Sequence, residues 1–175
     1  MGTVLKGMGD VRWHDLRHAY GSASQVPGTL SRIAWGDAPS AEDALNDLGH
    51  WIGSMAVFDS TVAAVPFLWE LAGTETVKDR AGVLELLGSI LAAGHAHHPE
   101  WARGAHDAVV AGRATAERLA AGAPAAPRGR APHQRSPHGY PPQAVPGAAP
   151  EASAASELLA AIDGHTCAAC PPRGA

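Results

Sequence analysis

Cysteine is nearly missing from these 175 residues; the two present, Cys167 and Cys170, fall close to the end. A disulfide framework is therefore excluded, and nothing in cysteine usage points to an oxidising compartment. Long apolar runs are missing too. No such run follows the early charge, so neither a signal peptide nor a membrane span is expected, and the cytoplasm is the default location. Lys6 occupies the position where a myristoylation signal needs Ser or Thr. Basic charge is thin, with nine basic residues against fourteen acidic ones before Gly122. That balance argues against a duplex nucleic-acid binder, which needs dense positive surface. Gly-x-Ser-x-Gly and phosphate-loop patterns are also absent.

Aromatic residues make up 5% of the chain, and much of the 46% hydrophobic content is alanine. Ten of the fourteen prolines lie beyond Ala121, where large aliphatic side chains are scarce. These two facts confine the expected core to residues 10–121, a small domain in which burial narrowly exceeds conformational entropy. Residues 1–9 read as a flexible arm. Residues 122–175 read as a disordered Ala/Pro-rich tail, broken by a predicted short helix over 153–162 that would dock on the end of the fold.

What the chain does contain is a helical unit written twice, thirty-nine residues apart. Val26-Pro27 is echoed by Val65-Pro66; Ala44-Leu45, Leu48-Gly49 and Ile52 are echoed by Val83-Leu84, Leu87-Gly88 and Leu91. Within the first unit, Ser22 and Gln25 have capping-box spacing, and Pro27 suits a first helical turn. Val26, Leu30, Ile33 and Ala34 recur at helical spacing, Gly36 to Pro39 breaks the pattern, and Ser40 is expected to start the partner helix, which Gly53 ends. In the second unit Asp59 or Ser60 caps a helix with a kink or a start near Pro66. Residues 78–93 then form a stripe too wide for one face, which requires cover on two sides. Glu100 to Ala121, interrupted at Gly112, reads as a weaker third unit. Asp10 to Tyr20 reads as a short helix ended by Gly21.

A period near forty is in the HEAT/armadillo range. The order and spacing of Trp13, Leu16-Arg17-His18-Ala19-Tyr20-Gly21-Ser22-Ala23, Val26-Pro27, Thr61 to Leu68 and Asp79 to Leu87 carry the likeness further. Over residues 12–120 the chain resembles bacterial HEAT-repeat proteins of unassigned function. The resemblance implies an all-α fold, a short right-handed HEAT-like α-solenoid of about two and a half repeats. It implies partner binding and supplies no catalytic residues. Relatives of that type continue with further helix pairs, whereas this chain turns Ala/Pro-rich. Its composition there is that of GC-rich coding read out of frame, so a truncated array is expected, with an uncapped end open to self-association.

Candidate chemistry is sparse. His95, His97 and His98, with His106, Glu100 and Asp107 nearby, form the densest polar cluster, but they lie in a proline-bounded loop without cysteine. His165, Cys167 and Cys170 make half of a zinc site, and no second cysteine pair completes it. His14, Asp15 and His18 would share a helix face with no third positioned group. Gly49 and Gly88 are expected at close helix approaches. Trp51 or Trp69 is expected to be partly exposed as a binding anchor. Arg113, Arg118, Arg128, Arg130 and Arg135 read as a solvated basic linker. No catalytic, cofactor or metal residue is assigned. The expected function is a non-catalytic protein–protein interaction scaffold with an unknown protein partner, no nucleic acid and no membrane. The alternatives are a HEAT-like lyase-accessory or DNA-acting protein, or an inert remnant of a longer array.

Overall fold

The computed structural model describes residues 4–53, 56–122 and 149–170. Among them the chain is mostly helical, with seven α-helices: α1 (Val26–Trp35), α2 (Ala38–Ile52), α3 (Asp59–Ala72), α4 (Arg80–Ala92), α5 (Pro99–Ala111), α6 (Arg113–Ala121) and α7 (Pro150–Asp163). The only strand pair among the described residues is a small antiparallel hairpin of β1 (Arg17–His18) and β2 (Gly21–Ser22). No described helix is long and apolar enough to cross a membrane.

The hairpin replaces the helix expected from Asp10 to Tyr20. That stretch instead makes short 3-10 turns at Met8–Asp10 and Trp13–Asp15, then pairs Arg17 with Ser22. Partners distant in sequence hold its backbone: Arg17 N–H donates to Asp59 Oδ1 at 2.8 Å, Ser60 Oγ donates to Arg17 O at 2.5 Å, and Ala19 N–H donates to Trp51 O at 3.0 Å. These tertiary bonds replace those a marginal eleven-residue helix would have made. Gly21 adopts φ 135°, which residues with a Cβ rarely tolerate. The arm expected over 1–9 is held from Val4 onward, with Leu5 buried and Trp13 Nε1 donating to Met8 O at 2.9 Å.

Helix starts follow short side chains. Asp37, not Ser40, begins α2: its Oδ1 accepts from Ser40 N–H at 3.0 Å, and Pro39 fits the first turn. Asp79 does the same for α4 through Gly82 N–H at 2.8 Å. In α3, Thr61 Oγ1 accepts from Phe58 N–H and donates to Ile52 O, both at 2.8 Å, which ties this start to the end of α2. Ser22 caps a 3-10 turn by accepting from Ser24 N–H, and the expected reciprocal bond with Gln25 is not made. Pro66 starts no helix, because α3 has already run seven residues before it and continues to Ala72.

The repeated positions are core positions. Val26 and Val65 are both buried, as are Ala44, Leu45, Leu48 and Ile52 in one copy and Val83, Leu84, Leu87 and Leu91 in the other. Helix α1 packs on α2 and α3 on α4; α1 also packs on α3, α3 on α5, and α2 on α4. The wide apolar surface of α4 is covered by α2, α3, α5 and α7. Residues 150–163 form the helix expected within the Ala/Pro-rich tail of 122–175. Their helix is longer than the predicted 153–162, and it seats Ala155, Leu158 and Ile162 in the common core against α4 and α6. Arg80 pairs with Glu151 at 2.6 Å and Arg113 with Asp163, one ion pair near each end of α7.

Candidate metal centre

The site is assembled from two segments that are sixty residues apart in sequence. Helix α5 buries Ala102, Ala105, His106 and Val109 along one face, so His106 occupies a core position and is 1% exposed. Its Nε2 lies 2.7 Å from Ala93 O, which can only accept, so Nε2 carries a proton and, in the neutral ring, Nδ1 presents a lone pair. That lone pair faces the segment after α7. Cys170 Sγ lies 3.3 Å from His106 Nδ1 and Cys167 Sγ 3.4 Å. The His165 ring meets the His106 ring edge to face at 4.6 Å between centroids.

The backbone shapes this arrangement locally. Gly164 ends α7, and Cys170 N–H donates to Cys167 O at 3.2 Å, turning the two thiols to one side. Arg103, one turn before His106, donates from Nε to Ala169 O at 2.8 Å and fixes the turn against α5. One ligand atom from each of His106, His165, Cys167 and Cys170 lies within 4.8 Å of all the others. Burial pushes the Cys170 thiol up to about 11; the hydrogen bond and charge of Cys167 and the charge of Asp107 add to the rise, and Arg103 opposes it. A thiol held protonated at neutral pH is a poor nucleophile, which disfavours that role for Cys170.

The histidine cluster expected in the sequence is divided. His95 Nδ1 accepts from the backbone N–H groups of His97 and His98 at 3.3 and 3.1 Å. His98 stacks on Trp101 at 3.7 Å and meets Glu100 Oε1 at 2.9 Å. Burial and the charges of His98 and His97 hold His95 below its ordinary value, while the His98 hydrogen bond lowers Glu100. These side chains pack around the start of α5, and only His106 joins the cysteines. The string His165, Cys167 and Cys170 thus acquires the fourth residue it lacked in sequence. The available sequence signal was a histidine on the buried stripe of α5.

Other expected residues fall elsewhere. His14 is exposed beside Asp15, whereas His18 is buried and stacked on Trp51 at 5.1 Å, so they share no face. Trp69 is buried; Trp51 is half-buried; the exposed tryptophan is Trp35, at 65%. Gly49 and Gly88 leave ordinary room for a methyl group, 3.8 and 3.9 Å from the nearest atoms. The close approach is at Gly112, where a Cβ would lie 2.0 Å from the Trp69 ring. Arg113 pairs with Glu117 and with Asp163 and so ties α6 to α7, whereas the exposed Arg118 donates to Thr115 within α6. Arg128, Arg130 and Arg135 lie outside the described residues. Comparison of the chain with protein-family models, with curated proteins and with solved structures gives no match.

Proposed function

We propose that the chain is a non-catalytic protein–protein interaction scaffold, built as a short HEAT-like helical array. The observation that carries this reading is the packing of α1 on α3 on α5 beside α2 on α4, a row that α7 rather than α6 continues. Such stacking extends a surface along one direction, and extended surfaces recognise partners without chemistry. The divided histidines and the absence of a nucleophile elbow in the sequence favour binding over catalysis. Trp35 and Tyr20, at 65% and 74% exposure, are the large apolar side chains available as anchors among the described residues. A cytoplasmic setting belongs to the same proposal and is supported by cysteine usage.

Affinity capture from the native cell, with Trp35→Ser and Tyr20→Ser run in parallel, tests the reading. The expected result is a stoichiometric protein partner that at least one variant loses while its circular dichroism is unchanged. Capture of the same set by all three proteins, or no stoichiometric partner, overturns it.

A further inference from the structure

We propose that His106, His165, Cys167 and Cys170 form a structural zinc site that fastens the segment after α7 onto α5. The donor set is two thiolates and two imidazoles, which suits Zn²⁺ in tetrahedral coordination. Zinc–sulfur and zinc–nitrogen bonds of about 2.3 and 2.0–2.1 Å at tetrahedral angles put sulfur and nitrogen roughly 3.5 Å apart. The two cysteine sulfurs lie 3.3 and 3.4 Å from His106 Nδ1, and the complete set lies within 4.8 Å. A central ion is therefore within reach of small side-chain rotations.

The tautomer is already set. With its proton committed to Ala93 O at 2.7 Å, the His106 ring can offer only Nδ1, the atom that faces the thiols. An imidazole N–H held by a carbonyl is the usual outer support of a metal-bound histidine. Arg103 plays the matching part for the cysteine turn by holding Ala169 O at 2.8 Å. Charge also balances: two thiolates neutralise the dication, and the two thiol protons pass to solvent as the ion enters. Four protein ligands leave no position for water, so the site is closed and its role is to hold structure. What it holds is α7, which covers α4 and α6.

The test uses the whole 175-residue chain, kept reduced, stripped of metal by a chelator and dialysed. Zinc added to it is expected to bind at one ion per chain and to raise the unfolding temperature. Cobalt is expected to give sulfur-to-metal charge transfer and the intense visible bands of a tetrahedral site. Cys167→Ser/Cys170→Ser, which alters only half-buried side chains, is expected to weaken zinc binding by at least roughly 100-fold, since half the ligands are gone. Nitrogen NMR of the zinc-loaded wild-type chain is expected to show His106 metal-bound at Nδ1 and protonated at Nε2. One zinc per two chains, an octahedral cobalt spectrum, undiminished affinity in the double variant, or His106 signals unmoved by zinc would each overturn the proposal.

Discussion

At the scale of single residues, two glycines that look alike in sequence differ in the space around them. A Cβ at Gly112 would meet three atoms of the Trp69 indole between 2.0 and 2.3 Å, with Trp69 itself buried. Gly112→Ala is expected to destabilise by about 1–3 kcal/mol, the usual range for overpacking, measured by urea unfolding. Gly49→Ala, inside α2 with nothing nearer than 3.8 Å, is expected to be neutral or to stabilise by up to about 1 kcal/mol. Histidine sets the other expectation at this scale. Burial holds His18 below its ordinary 6.5, and its Nδ1 accepts from Tyr20 N–H at 3.1 Å. The unfolded chain therefore takes up this proton at higher pH than the folded one. Stability is complete above about 6.5 and falls as pH drops toward the lowered folded value. His95 contributes in the same sense. His18→Asn should flatten, though not abolish, the loss between pH 7.5 and 5 in urea titrations, both being chosen values on either side of the ordinary histidine range of about 6.5. An unchanged slope would remove His18 from this account.

At the scale of elements, α2 and α7 carry the informative cases. Hydrogen bonds from Ser40 hold Asp37 below its ordinary 3.8, so its support of α2 is present above that value and is lost as pH falls through the lowered one. Asp37→Ala is expected to lower the unfolding midpoint at pH 7 more than Ser40→Ala does, because the cap is the Asp37 carboxylate. Equal effects would place the start of α2 at Ser40 instead. Helix α7 places Leu158, 3% exposed, against the α4 surface beside Gly88. Leu158→Ala is expected to cost about 2–5 kcal/mol, as core leucine truncations do. A cost below about 0.5 kcal/mol, typical of surface changes, would mean that α7 is not part of the core.

At the scale of the molecule, the question is what covers α4. Its buried side chains, Val83, Leu84, Leu86, Leu87, Ile90 and Leu91, point in too many directions for a single neighbour. A chain shortened to end at Gly122 loses α7 and leaves part of that surface uncovered. Self-association is expected, read by sedimentation velocity, together with a lower unfolding temperature. A shortened chain that stays monomeric and equally stable would return α7 to the status of an appendage.

The sequence by itself determined the helical class, because apolar side chains at 3.6-residue spacing need a common buried face. The repeated Leu45/Leu84, Leu48/Leu87 and Ile52/Leu91 positions were legible for that reason, and all six are buried. Gly53 and Gly112 were legible as helix ends. Asp37 was overlooked because Pro39 looked like a breaker, although proline is accommodated in the first turn. The hairpin at Arg17–Ser22 was invisible because Asp59, Ser60 and Trp51, all distant in sequence, satisfy its backbone. Leu158, Leu159 and Ile162 made the helix of α7 legible, but its seat against α4 and α6 was not, because elements distant in sequence supply that seat. His106 and the His165, Cys167 and Cys170 string were each visible as incomplete fragments of a site. Their meeting depends on how far α7 carries the chain back toward α5, a distance that side-chain spacing along the sequence does not encode.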